Sequence, residues 1–268
     1  MDGLVIRNWL LIGAKALFAT IGSLLTWRLH ALTVVGSVCM GLMGFTILLV
    51  GGWLWLIPVL MFFLTSLLLG YVPYTGPETK PRPRTVWQVL ANGAVAWVAV
   101  VLLLWADGRA WHPTDSLAVY FGALAAANAD TWATELGVRF GGIPRDMVSG
   151  RTLPVGASGG ITGVGTAGAV LGALVIASLV PWVDARHSGN WLSIGHITLA
   201  GWLGAMFDSL LGSLAQKRYR CRVCGEGTEL PVHCGTTASP RRGFLTNNQV
   251  NWFCTSVGAF TAWVWLRW

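Results

Sequence analysis

The chain carries repeated runs of roughly 20 mostly apolar residues, the length a helix needs to cross a bilayer. They fall at roughly 8–27, 31–50, 53–72, 86–105, 116–137, 159–182, 192–215 and 246–266. Backbone polar groups inside hydrocarbon must be satisfied within their own segment, and helices do this. The expected fold is therefore an all-α polytopic transmembrane bundle of seven or eight spans. It forms one integral membrane domain over residues 1–268, with 216–245 as a long cytoplasmic loop. The first run contains Lys15 and also fits a re-entrant or amphipathic segment. It lacks the small-residue cleavage site of a signal peptide.

Composition agrees. Hydrophobic residues make up 54% and charged residues 11%, too few charges to solvate a soluble surface. The net charge of +7 is explained by basic loops facing anionic lipid, so no nucleic-acid partner is required. The 16 tryptophans fit interfacial belts. Arg28, Lys80, Arg82, Arg84, Arg139, Arg145, Arg151, Lys217, Arg218, Arg220, Arg222, Arg241 and Arg242 fall on one predicted side. The other side has Arg7, Arg109, Arg186 and Arg267. That imbalance directs the 138–158 and 216–245 loops to the cytoplasm, and the expected location is the inner membrane of a prokaryote.

Carboxylates at membrane depth are costly and usually mark a site for ions or chemistry. Asp130 and Glu135 lie in the fifth run, Asp208 in the seventh. At 100° per residue, Asn128, Asp130, Thr131, Thr134 and Glu135 share an arc of about 160°. Asp208, Ser209, Gly212, Ser213 and Gln216 share a face in the seventh run, which leads to Lys217 and Arg218. Asn92 in the fourth run is echoed by Asn247, Asn248 and Asn251 in the eighth, a pattern compatible with internal duplication. Hydrogen bonding between helices is the plainer account of these polar groups.

Arg151 precedes a glycine-rich segment, Pro154-Val155-Gly156-Ala157-Ser158-Gly159-Gly160-Ile161-Thr162, that opens the sixth run. Such a turn can aim backbone N–H groups at phosphate, although it lacks the Gly-Lys-(Ser/Thr) ending of a P-loop. Its glycines also suit close helix packing. Together these features predict a cytoplasm-facing polar cavity lined by spans 4, 5, 7 and 8 and the start of span 6.

Cys221-Arg222-Val223-Cys224 followed by His233-Cys234 offers four soft ligands for a tetrahedral structural Zn²⁺. A disulfide is the competing account, but a cytoplasmic loop is reducing.

Several of these segments occur in the same order in one membrane family. They are Asn92-Gly93-Ala94-Val95, Ala129-Asp130-Thr131-Trp132-Ala133-Thr134-Glu135-Leu136-Gly137, Pro154 to Thr162, Asp208-Ser209-Leu210-Leu211-Gly212 and Asn247-Asn248-Gln249-Val250-Asn251. From about residue 28 the chain resembles the domain of unknown function 92 family, which includes animal transmembrane protein 19 and plant phytyl-phosphate kinase. It departs from that family at Ala129, where glycine is frequent, and at Leu67-Leu68-Leu69-Gly70, which replaces a polar patch. Asp130-x-x-Ala133-x-x-x-Gly137-x-x-x-Gly141 is also similar to a stretch of dolichol and phytol kinases.

The resemblance implies an Mg²⁺-dependent kinase that moves a phosphoryl group from a nucleoside triphosphate, CTP or ATP, to an isoprenoid monophosphate. Asp130, Glu135 and Asp208 are the expected Mg²⁺ ligands. Arg151 and Lys217 are expected to stabilise transferring charge. Asn92, Asn128, Thr131, Gly156, Ser158, Gly159, Gly160, Thr162, Ser209, Arg218, Asn247, Asn248 and Asn251 are expected to contact substrate or phosphate. The prenyl tail would stay among membrane lipids. A transporter of an ion or anionic solute, or a non-catalytic scaffold, would also place acids and asparagines within a bundle. The sequence leaves the chain length of the isoprenoid, the nucleotide and the oligomeric state open.

Overall fold

The computed structural model describes residues 2–72, 83–106, 111–183, 191–225 and 227–267, with the side chains of 2–7, 191 and 192 outside that description. Lys80, Arg82, Arg109 and Arg186, used above to orient the chain, lie outside the described residues. Eight long helices correspond to the eight apolar runs: α1 (Asp2–Arg28), α2 (Val34–Val50), α3 (Trp53–Gly70), α4 (Val86–Leu102), α5 (Pro113–Phe140), α6 (Gly163–Ala177), α8 (Trp191–Leu214) and α9 (Asn247–Arg267). A short α7 (Val180–Val183) prolongs α6.

Helix starts follow local chemistry. Thr33 caps α2 by accepting from the Gly36 amide, and Gln88 reaches back to the Thr85 amide at α4. Pro113 opens α5, where Asp115 accepts from the His112 amide at 2.8 Å.

Five described helical segments are long and apolar enough to cross a membrane: Asn8–Arg28, Trp53–Gly70, Val86–Trp105, Gly163–Val183 and Ser193–Leu214. The 17-residue α2 is apolar but shorter. Helix α5 has the length, about 42 Å for 28 residues, without the uniform apolarity. Its position explains the difference. It runs through the centre of the bundle against α3, α4, α6, α8 and α9, so its acids face protein rather than lipid. Residues Asp115 to Ala129 of α5 are almost all buried.

Small residues permit this packing. A Cβ on Gly122 would lie 2.4 Å from the Gly258 carbonyl oxygen, and one on Gly258 would lie 2.5 Å from that of Gly122. Helices α5 and α9 therefore cross backbone to backbone, as small-residue stripes allow in membranes. Helix α1 packs chiefly on α2 and is largely exposed, so the first run forms a continuous peripheral helix.

Exposed Trp9, Trp27, Trp53, Trp87, Trp105 and Trp182 stand near helix ends, where interfacial belts belong. Trp97, Trp132 and Trp202 depart from the belts, with their indole nitrogens buried in the bundle. Trp132, for example, fills the space left by Gly172.

Two loops carry the short strands of the described residues. In the first, β1 (Arg145–Asp146) pairs antiparallel with β2 (Gly160–Ile161). In the second, β3 (Arg218–Arg220) lies between β4 (Gly227–Thr228) and β7 (Ser239–Arg242), while β5 (Val232–His233) pairs with β6 (Thr236–Thr237).

Candidate phosphate and cation site

Asp130 on α5 and Asp208 on α8 line the same cavity, of about 100 Å³. That is room for several waters or a phosphoryl group. The glycine-rich turn from Val155 to Thr162 forms another wall, and Ser209 lines the cavity from α8. The start of α6, through Gly165 and Thr166, completes the enclosure. Thr162 caps α6 by accepting from the Gly165 amide at 2.9 Å, so the positive end of that helix opens on the cavity. The structure thus unites Asp130, Asp208, Ser209, Gly156, Ser158, Gly159, Gly160 and Thr162.

The turn is seated tightly on α8. Gly159 has φ of +77°, and a Cβ there would stand 2.4 Å from the Ser213 nitrogen. Only glycine satisfies both that conformation and that approach.

Oδ2 of Asp208 is shielded from solvent and has no hydrogen-bond partner among the described residues. A buried carboxylate oxygen is costly unless a cation or donor meets it. Two carboxylates beside a phosphate-sized cavity suit Mg²⁺, which takes one or two acids and completes its octahedron with water and substrate phosphates. The donor set therefore fits that ion.

Other expected site residues lie elsewhere. Glu135 does not line the cavity; its carboxylate forms an ion pair with Arg139, which also donates to the Val72 carbonyl at 2.8 Å. Asn128 is fully buried, accepting from Thr65 at 3.0 Å and donating to the Gly172 carbonyl at 2.7 Å. Thr131 donates back to the Ala127 carbonyl. The cause is the breadth of the polar arc. Asp130 and Thr134 lie within about 40° of each other at one edge, while Asn128 and Glu135 occupy the other edge and meet different neighbours. The cavity is centred nearer Asp130, so it includes Ala133 and Gly137, which lie outside the polar arc.

Helices α4 and α9 do not line this cavity. Their asparagines bond to one another instead: Asn251 Nδ2 donates to Asn92 Oδ1 at 3.4 Å, and Asn92 donates to the Gln88 carbonyl. Asn247 accepts from Gln216 at 3.3 Å, and Asn248 is half-buried in the first turn of α9. Arg151 is exposed, and its carbonyl accepts from the Asp146 amide. Lys217 is outside the cavity lining, with its amide bonded to the Leu245 carbonyl. Arg218 fastens the turn by donating to the Ser158 carbonyl at 2.7 Å and the Gly212 carbonyl at 3.3 Å. Burial lowers its guanidinium pKa, as does Arg242 nearby.

Sequence reasoning missed Asp146 and Glu229. Asp146 accepts from the Ser149 amide at 2.8 Å and from Ser213 Oγ at 2.9 Å, which anchors the loop to α8. Its local signal is Asp146-Met147-Val148-Ser149-Gly150, an aspartate-initiated turn with Gly150 at positive φ. Glu229 accepts from the Ser158 amide at 2.9 Å and from Gln216 Nε2 at 2.9 Å.

Cys221, Cys224, His233 and Cys234 converge, with potential ligand atoms all within 4.8 Å of one another. The Cys224 amide, followed by His233, holds the Cys221 thiol down to about 6. Hydrogen bonds to Cys224 and Cys221 push Cys234 up to about 11.

A central acid-bearing helix, a second acid-bearing helix and a glycine-rich turn between them define a polytopic helical membrane protein with an internal polar site. The chain belongs to the integral membrane protein family DUF92, whose model matches residues 17–259. It is similar to an uncharacterised membrane protein of Methanocaldococcus jannaschii, at 29% identity over 84% of this chain and 80% of that protein. It is also similar to Protein PGR of Arabidopsis thaliana, at 29% identity over 92% of this chain and 94% of the relative. No solved structure matches it.

Proposed function

We propose that this protein is an Mg²⁺-dependent isoprenoid-phosphate kinase. The observation that carries the reading is the shared cavity of Asp130, Asp208 and the glycine-rich turn, with Asp208 Oδ2 left without a hydrogen-bond partner. The likeness of the acid and glycine motifs to those of phytyl-phosphate kinases supports the same reading.

Joining two phosphates is opposed mainly by charge, so positioning and neutralisation dominate catalysis. The chemistry an Mg²⁺ ion would supply here is neutralisation of phosphate charge. Asp130 and Asp208 would hold it from two helices. The turn from Gly156 to Gly160 and the start of α6 would orient the phosphates through backbone N–H groups. An oxygen of the isoprenoid monophosphate would attack the terminal phosphorus of the nucleotide. The bond from that phosphorus to its bridging oxygen breaks, and the nucleoside diphosphate leaves with the electron pair. No general base is needed, because the attacking phosphate is already an anion. The nucleotide would enter from the cytoplasmic side, and the apolar tail would remain in the bilayer.

The test is purified protein in detergent with Mg²⁺, a series of isoprenoid monophosphates and ATP, CTP, GTP or UTP, with product mass measured. Diphosphate formation is expected with at least one pair. Absence of product from folded protein across the series would reject the kinase reading. In that case, solute uptake by protein reconstituted into sealed, detergent-free vesicles would favour a transporter.

A further inference from the structure

The loop between α8 and α9 has little core of its own. Between Arg218 and Arg242 its buried apolar side chains among the described residues are Cys221 and Ala238, and its strands are two to four residues long. Leu230 and Val232 are exposed. A unit this small needs some constraint beyond apolar burial.

The four clustered ligands can supply it. Cys234 Sγ lies 3.3 Å from His233 Nδ1, Cys224 Sγ lies 3.6 Å from that nitrogen, and the two sulfurs are 3.9 Å apart. A tetrahedron with metal bonds of about 2.0–2.3 Å has edges of about 3.3–3.8 Å. The cysteines are free, and 3.9 Å is far beyond a disulfide bond of about 2.05 Å. Two adjacent ligands require a sharp chain reversal. Cys234, at φ of 51°, is a non-glycine residue in the left-handed region, and Gly235 follows at 72°. The Val223 amide points to Cys221 Sγ at 3.4 Å, and Gly225 has φ of 75°, so the first ligand pair also sits on a tight turn.

Glu229 stands between the second and third ligands in the chain. It takes the Ser158 amide, while Arg218 at the base of the same loop takes the Ser158 carbonyl. Both polar groups of a cavity-lining backbone position are thus held from the cysteine loop. We propose that Cys221, Cys224, His233 and Cys234 bind one Zn²⁺ ion, and that this ion fixes Glu229 against the glycine-rich turn. Metal loading then sets the shape of the cavity, whatever substrate the cavity accepts.

The experiment uses full-length protein purified in detergent without chelator. Elemental analysis should find about one zinc per chain, and Cys224→Ser should lose it. Hydrogen exchange followed by mass spectrometry should show residues 155–161 exchanging roughly tenfold or more faster in Cys224→Ser, with the interior of α6 unchanged. Glu229→Ala should give the same acceleration while keeping its zinc. If Cys224→Ser does not fold, chelating the wild-type protein and restoring zinc should reverse the change at 155–161. Absence of zinc, or iron in its place, would overturn the metal assignment. Loss of zinc with unchanged exchange at 155–161, or wild-type exchange in Glu229→Ala, would overturn the link to the cavity.

Discussion

Ser213 Oγ lies 2.9 Å from each carboxylate oxygen of Asp146, joining residues 67 positions apart. The contact pins the 141–162 loop to the end of α8 and keeps the glycine-rich turn in register with Asp208. The Ser149 amide, then the Ser213 and Ser149 hydroxyls and the Val148 amide, hold the Asp146 carboxyl down to about 2 against the opposing effect of burial.

That shift has a defined pH signature. A depressed carboxyl contributes stability that is complete above the unfolded range near about 4 and is lost as pH falls through about 2. Asp146→Asn should lower stability at neutral pH by about 1–3 kcal/mol. It should also flatten the acid limb between about pH 4 and 2. Thermal unfolding in detergent across that range checks both, and an unchanged midpoint with an unchanged acid limb would remove Asp146 from the anchoring role.

Asn128 is expected to be structural. Asn128→Ala removes bonds to Thr65 and to the Gly172 carbonyl inside the bundle. Interhelical hydrogen bonds of this kind contribute about 0.6 kcal/mol on average and about 1.7 at most. A loss within that range, with divalent-cation binding intact, is the expected result from denaturant titration and metal binding on the same preparation. Loss of cation binding in a folded variant would return Asn128 to the site.

Glu135 separates the two roles an intramembrane acid can have. Glu135→Gln breaks its ion pair with Arg139, which is 9% exposed and keeps its bonds to the Val72 and Gly70 carbonyls. Thermal stability should fall by about 1–3 kcal/mol, while cation affinity stays within about threefold of wild type. Cation binding lost in step with an Asp130 variant would contradict the assignment of Glu135 to the ion pair.

The parts of this site that were legible in the sequence share one property: they are expensive in the place where they occur. Asp130 and Asp208 stood out because hydrocarbon penalises charge, and the glycines at 156, 159 and 160 because a helix start needs a special turn. Asp146 and Glu229 lie in polar loops, where an acid costs little, and their partners Ser213 and Ser158 are 67 and 71 residues away. The turn that starts at Asp146 is visible locally, but nothing local names these distant partners. Arg218 is the reverse case. A basic residue beside a predicted phosphate site suggests charge pairing, yet its guanidinium secures the carbonyls of Ser158 and Gly212. Most of the helix pattern was readable because five of the described segments are long and apolar. The central place of α5 was less so, since its unusual polarity points to burial without naming the neighbours.

The most direct test of the two-acid site is Mn²⁺ binding followed by electron paramagnetic resonance, which does not depend on knowing the substrate. Zinc-replete wild-type protein in detergent should take up about one Mn²⁺ per chain, displaceable by Mg²⁺. Asp130→Asn and Asp208→Asn should each weaken that uptake by more than roughly tenfold while retaining the wild-type elution profile. Wild-type Mn²⁺ affinity in both folded variants would contradict the claim that Asp130 and Asp208 hold the cation on which the proposed chemistry depends.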